Sequence, residues 1–206
     1  MRLITKTALA ATFASFIMGL SAANAATVWD DGASDFNDVA QAYRGVGTLS
    51  FNFESLGASN AISFQLFGAN SIDGAGNGYD DVFTVNLNGI DVFSGSFNMS
   101  GDGANVYTSS LGWIADTITN PGGYFKGGVT NVYGVVDLLA GLNVFSVNFR
   151  SPGAWNNGNQ GLGDESWALN SVNVAPVPVP AALPLMLSGL IGLGALASRR
   201  RRVKTA

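Results

Sequence analysis

The chain has 206 residues, no cysteine and no histidine, and its 14 acidic and 10 basic residues give a net charge of −4. This composition excludes Ser-His-Asp and Cys-His nucleophile systems, His-ligated zinc or iron, and disulfide bonds. All 14 acidic residues but only three basic ones (Arg44, Lys126 and Arg150) lie within 26–175, so that region carries a net charge of −11. We therefore expect it to repel nucleic acid and anionic lipid and to attract divalent cations.

The first 25 residues have the pattern of a secretory signal peptide. Arg2 and Lys6 give a positive start, an apolar run follows over 8–20, and 23–25 is a small-x-small cleavage site. The sequence predicts a signal helix over 1–25, export through the Sec translocon, and a mature chain that begins near residue 26. The alternative is an uncleaved N-terminal anchor, which the short apolar run disfavours.

Residues 26–175 have the length of one domain and the pattern of β-strands. Apolar and polar residues alternate with period two in several runs, and these runs are bounded by Gly, Asn or Asp. The sequence predicts strands over 28–30, 48–53, 62–66, 83–87, 90–94, 130–137, 145–149 and 167–174.

The dipeptide Asn88-Gly89 predicts a hairpin between the strands over 83–87 and 90–94. Asn-Gly tolerates the positive φ angles of a type I′ turn. A two-residue turn places positions 83, 85 and 87 on the same face as 90, 92 and 94. Phe93 and Phe97 then fall on the opposite face, so the hairpin is either covered on both sides or carries a bulge.

One short helix is predicted, because apolar residues recur at positions 36, 39, 40 and 43 after a possible N-cap at Ser34. The Gly-rich stretch 98–128 predicts loops over one end of the domain, with a short strand around Val106. Many short strands and little helix indicate an all-β fold, an antiparallel β-sandwich of jelly-roll type.

The C-terminus consists of three parts in a fixed order. A Pro-rich linker over 176–182 cannot continue a helix, and an uncharged run over 183–198 predicts a transmembrane helix. A basic tail over 199–206 is typical of the cytoplasmic flank of such a helix. The linker holds the motif Val177, Pro178, Val179, Pro180, Ala181, Ala182, and the tail begins with Arg199, Arg200, Arg201, Arg202.

This order resembles the sorting signal of the PEP-CTERM family of bacterial surface proteins, which an exosortase processes. The family's Pro-Glu-Pro stands here as Pro178-Val179-Pro180, similar to its Val-Pro-x-Pro-Ala-Ala variant. The resemblance implies a Gram-negative-type bacterium. It also implies a tether in the inner membrane before processing, and a place at the cell surface or in the extracellular, biofilm-type matrix afterwards. The residues alone also fit an ordinary single-pass anchor, or a helix that pairs with another through its glycines.

Three pieces of the domain, at 71–74, 80–89 and 164–172, resemble lectin-like and carbohydrate-binding jelly-roll modules. In those modules a D-x-F-x-V-x-x-N-G hairpin precedes a closing E-x-W-x-x-x-x-V strand, and both patterns occur here. The resemblance implies a module that binds or adheres, and it assigns no ligand.

A calcium site is predicted in the loop over 73–81. Ca²⁺ takes oxygen ligands from carboxylates, amides and main-chain carbonyls, often in flexible loops. The candidate ligands are Asp73, Asn77, Asp80 and Asp81, joined by Glu165 if the fold brings it near. The alternative is a solvated loop in which Asp and Asn side chains cap their own turns.

A glycan contact is predicted at Trp155, Asn156 and Asn157, where an aromatic ring stands beside planar amides. Tyr124 or Trp113 in the other long loop has similar chemistry. The alternative is that these rings cover the core, as buried aromatics commonly do. Trp29 and Trp167 lie in or beside predicted strands and are expected in the core.

These features predict an exported, membrane-tethered protein whose non-catalytic sandwich binds polysaccharide or adheres to a surface. The alternatives are a purely structural matrix protein and a carboxylate-based glycoside hydrolase. Such a hydrolase needs one carboxyl group with a raised pKa, and acids in polar Gly/Asn loops are not expected to be desolvated enough for that. No catalytic residue is therefore predicted among the available acids, which are Asp73, Asp80, Asp81, Asp164 and Glu165.

Overall fold

The computed structural model describes residues 25–31, 45–119, 127–152, 165–177 and 190–191. Apart from Leu190 and Ile191, every regular element in these ranges is a β-strand, and every strand pairs with its neighbours in the antiparallel sense. The strands are β1 Ala26–Trp29, β2 Gly47–Asn70, β3 Val82–Leu87, β4 Ile90–Ser96, β5 Val106–Ser109, β6 Ile114–Ile118, β7 Gly128–Arg150 and β8 Glu165–Pro176. The protein is therefore all-β, as predicted.

The strands form one sheet in the order β1-β8-β2-β7-β3-β4-β5, and β6 pairs with β7 beside that path. Two of them, β2 and β7, are unusually long at 24 and 23 residues. Residues 47–56 of β2 pair with 140–149 of β7, and residues 58–68 pair with 128–138. Because β3 joins one end of this pair while β8 and β6 join the other, the long strands belong to both halves of the sheet.

Each long strand has a backbone irregularity near its middle, and β2 and β7 remain paired on both sides of it. Gly57 and Ala58 in β2 and Gly141 in β7 have positive φ angles of 84°, 63° and 94°. A buried asparagine stabilises each irregularity through hydrogen bonds to the main chain. The Asn60 amide donates to the Ala58 carbonyl at 2.7 Å, and Asn143 exchanges two 3.0 Å bonds with the Leu139 main chain.

The two halves of the sheet enclose a large aromatic core, and a second, smaller cluster consists of Phe67, Ala69, Val129 and Ala168. The rings of Phe83 on β3 and Trp167 on β8 lie 5.7 Å apart in an edge-to-face arrangement, although these strands do not pair with each other. Phe64 and Phe145 meet in the same way at 5.5 Å. Since inward residues alternate with outward ones along each strand, the sheet buries one face against itself.

The structure confirms the predicted hairpin and its bulge. Leu87 faces Ile90 across the Asn-Gly turn, and Asn88 has the positive φ of 53° that the turn needs. The register then shifts, so Val85 faces Phe93 instead of Val92. Val92 and Phe93 are consequently both buried, and the face predicted from a regular register is wrong beyond this point.

Two predictions about segment boundaries were wrong. The stretch 98–128 contains the predicted strand near Val106, but it also contains β6, which the sequence predicted as loop. The strands predicted separately over 48–53 and 62–66 are parts of β2, and those over 130–137 and 145–149 are parts of β7. The glycines between these predicted strands lie inside β2 and β7, and the two strands remain paired on both sides of them.

Several predictions lie outside the described residues. These are the signal helix, the short helix over 36–43, the motif from Pro178 to Ala182, and the basic tail. Val177 follows β8 directly, and its N–H donates to the Ser59 carbonyl at 2.9 Å. In the described ranges, no helix has the length and hydropathy needed to cross a membrane.

Candidate functional site

The acidic loop, residues 71–81 between β2 and β3, packs closely against the turn over 98–105. The Ile72 carbonyl accepts hydrogen bonds from three successive main-chain N–H groups at 3.3, 3.2 and 3.0 Å (Met99, Ser100 and Gly101). Gly74 is required at the contact, since a Cβ there would lie 2.5 Å from the Ala104 carbonyl oxygen. The contacts with the turn over 98–105 therefore hold the acidic loop in one position.

Asp73 and its neighbours hold this loop in shape. The Oδ1 atom of Asp73 accepts from the Asn77 amide at 2.6 Å and from the Asp102 N–H at 2.7 Å. The Asp80 carboxylate accepts from the Gly76 N–H at 2.8 Å. Asn77 and Asp80 thus make the turn-capping bonds that the alternative to a calcium site predicts at these two positions.

Asp81 is completely buried at the end of the acidic loop. Its Oδ2 atom accepts from the Asp73 N–H at 2.7 Å, and its own N–H donates to the Asp73 carbonyl at 3.2 Å. Burial, together with the negative charges of Glu165 and Asp73, raises the pKa of Asp81 to about 8. The Asp73 N–H and the Ser151 hydroxyl act in the opposite direction and offset only part of this effect.

This result corrects the expectation that no acid in these loops is desolvated. The prediction relied on the polar Gly/Asn composition of the loop. It could not anticipate that the last loop residue turns inward as β3 begins. A carboxyl group inside a protein loses its hydration, and the charged form is penalised.

The fold brings Glu165 to the same place. Glu165 is the first residue of β8, is buried, and accepts a 3.0 Å hydrogen bond from the Ser151 hydroxyl through Oε1. Ser151 follows β7 directly and has no exposure to solvent. Sequence reasoning missed Ser151, because a serine after a strand has no signature until the partner of that strand is known.

The fold therefore brings together three acids, Asp73, Asp81 and Glu165. Ser151 interacts with two of them, Asp81 and Glu165. Across the described residues, no three acidic side chains converge closely enough to hold a metal ion by themselves. Any ion at this place would need hydroxyl, main-chain or water oxygens as well.

A second feature is a groove of about 480 Å³ on the outward face of β2, β6, β7 and β8. Ile114 and Tyr133 face each other across the β6–β7 pair, with Val135 next along β7. The row of facing residues continues across the sheet, since Ser63 on β2 faces both Tyr133 on β7 and Asn173 on β8. The sequence did not predict this groove, because β6 was predicted as loop.

The aromatic residues considered for glycan contact are placed differently from one another. Trp113 is only 2% exposed, and its indole Nε1 donates to the Val135 carbonyl at 3.2 Å, so the interpretation of Trp113 as a binding residue was wrong. Trp167 lies in the core as predicted, and Trp29 stacks on Phe51 at 5.0 Å. Trp155, Asn156, Asn157 and Tyr124 lie outside the described residues.

No protein-family model matches the sequence, and no curated protein matches it. The solved structures that are similar to this chain include the following two. The first is dimeric latent PorU from Porphyromonas gingivalis, with 17% identity, a TM-score of 0.37, and coverage of 64% of this chain but 10% of PorU. The second is a ruminal GH26 endo-β-1,4-mannanase, with 13% identity, a TM-score of 0.32, and coverage of 68% of this chain and 20% of the mannanase. These likenesses are too low to support an argument about function.

Proposed function

We propose that this chain is an exported surface or matrix protein of PEP-CTERM type whose non-catalytic domain binds a neutral polysaccharide. The observation that carries the proposal is the outward groove beside Tyr133. Tyr133 is 41% exposed on the outward face of the sheet, where its ring can stack on a sugar ring.

The polar groups of the groove suit an uncharged sugar. Ser63 and Asn173, which face each other across β2 and β8, bring a hydroxyl and an amide to the groove. Among the described residues no charged side chain lines the groove, and the net charge of −11 over residues 26–175 repels acidic polymers. A neutral polysaccharide is therefore the favoured ligand, and Trp155, Asn156 and Asn157 remain a second proposed contact.

We propose a jelly-roll sandwich as the finer description of the fold. Support comes from the two long strands shared between both halves and from the ring contacts across the core. In this arrangement the groove lies on the outer face of one layer, which leaves it accessible to a long polymer.

The burial of the acids supports a binding role over hydrolysis. A glycoside hydrolase needs two carboxyl groups that flank the substrate. Asp81 has no exposed surface and Glu165 is 8% exposed, so neither faces an open cleft among the described residues.

The proposed binding is tested with glycan arrays and with pull-down on insoluble neutral polysaccharides. Tyr133→Ala is expected to weaken binding about tenfold, which corresponds to ~1.4 kcal/mol. Tyr79→Ala removes a tyrosine of 52% exposure away from the groove and serves as the matched control. Trp155→Ala measures the second contact separately.

If the wild-type protein retains no polysaccharide, or if Tyr133→Ala and Tyr79→Ala bind equally, the groove is not the binding surface. A wild-type protein that binds nothing while still assembling into matrix supports the structural alternative.

The sorting proposal rests on the two ends of the sequence and has its own test. Replacement of Pro178 and Pro180 by alanine is expected to retain the precursor at the inner membrane and to abolish exosortase processing. The intact mass of the native product is expected to end between residues 175 and 182. Unchanged surface delivery and unchanged mass in the double variant contradict the proposal.

A further inference from the structure

One carboxylate oxygen of Asp81 is buried and has no hydrogen-bond partner among the described residues. Asp81 uses Oδ2 to accept from the Asp73 N–H, whereas its buried Oδ1 finds no partner within the described chain. A buried carboxylate oxygen without a partner is costly, so such atoms call for a specific compensating group.

The groups that act electrostatically on the Asp81 carboxyl group carry oxygen atoms that can themselves bind a cation. The Ser151 hydroxyl, the Glu165 carboxylate and the Asp73 carboxylate all act on Asp81. Ser151 also joins Glu165 directly, through its 3.0 Å bond to Oε1. Three segments distant in sequence, the acidic loop, the end of β7 and the start of β8, thus bring oxygen atoms near the buried Asp81 carboxyl group.

We propose that this position binds a divalent calcium ion, with Asp81 Oδ1 and a Glu165 carboxylate oxygen as charged ligands and the Ser151 hydroxyl as a neutral one. Calcium accepts six to eight oxygen ligands in irregular geometry, so main-chain and water oxygens can complete the shell. The site differs from the sequence-based prediction, because Asn77 and Asp80 are engaged in the turns of the loop.

A cation at this position would join two strands that do not pair with each other in the sheet. β8 and β3 are not neighbours in the sheet, yet Glu165 begins one and Asp81 precedes the other. Calcium therefore stabilises the folded state, and its effect is measurable on unfolding as well as on binding.

The test uses the purified full chain, stripped with EDTA, at pH 8 and constant ionic strength. Thermal unfolding is followed by circular dichroism with no metal, with saturating Ca²⁺ and with saturating Mg²⁺. We expect Ca²⁺ to raise Tm by on the order of 5 °C and Mg²⁺ to raise it less. Asp81→Asn and Glu165→Gln are expected to lose the Ca²⁺ effect, and the exposed Asp116→Asn is expected to keep it.

No Tm change in the wild-type protein, or an equal Ca²⁺ effect in Asp81→Asn, overturns the proposal and leaves a proton as the group that satisfies Oδ1. If either variant fails to fold, the luminescence of Tb³⁺ bound to the wild-type protein is measured in place of the variant comparison. Emission sensitised by Trp167, two residues after Glu165, is expected and should be displaced by Ca²⁺, whereas absence of this emission contradicts the site.

Discussion

Asp81→Asn is expected to change the pH dependence of stability in the metal-free protein. The folded state raises the pKa of Asp81 from 3.8 to about 8, chiefly through burial. Between these two values the folded chain keeps a proton that the unfolded chain has released, so wild-type stability falls as pH rises. Each pKa unit corresponds to about 1.4 kcal/mol, which gives a loss on the order of 5 kcal/mol by pH 8.

Asparagine keeps the shape of the neutral acid and cannot ionise, so the variant should not show this loss. The measurement is urea unfolding of both proteins in EDTA from pH 5 to pH 9. The difference in free energy of unfolding, variant minus wild type, is expected to increase by about 1.4 kcal/mol per pH unit until about pH 8.

Asp116→Asn removes one negative charge from an exposed position on β6 and is the control for charge alone. A difference for Asp81→Asn that stays constant across this range, or that decreases with pH, would refute the assignment of a buried proton to Asp81.

Two further predictions concern packing. Asn143→Ala removes a buried amide that bonds the Leu139 main chain twice, and it is expected to cost about 2 kcal/mol in urea unfolding; a cost below 0.5 kcal/mol would show that water replaces these bonds. Gly134→Ala places a Cβ 1.9 Å from Trp113, so we expect a loss of about 3 kcal/mol and a shifted tryptophan emission. Gly45→Ala, where a Cβ meets nothing within 4 Å, is the control, and equal stability of the two variants contradicts the packing described here.

The sequence predicted local structure correctly where a residue type favours one backbone conformation. Asn88-Gly89 predicts its turn because few other residues tolerate those φ angles, and period-two alternation marks the strand interiors. It did not predict structure correctly where the conformation of a residue depends on a strand that is distant in sequence. Gly57 and Gly141 look like strand ends in sequence, yet each lies within a continuous ladder.

The candidate site shows the same division. The acidic loop and Glu165 were recognisable by composition, since calcium chemistry depends on residue type. The burial of Asp81 and the participation of Ser151 depend on the ends of β7 and β8 meeting, and no local pattern encodes that meeting. Trp113 was misread for a related reason, because its pocket is created by Gly134, a residue 21 positions later.

The position of β8 has a consequence for how the chain reaches its folded form. The last strand of the described chain lies between β1 and β2 instead of at an edge of the sheet. During synthesis, the side of β2 that pairs with β8 therefore has no partner strand until residues 165–176 have emerged. Long-range pairing of this kind slows folding. Truncation before Glu165 is therefore expected to remove a central strand and to leave that side of β2 exposed.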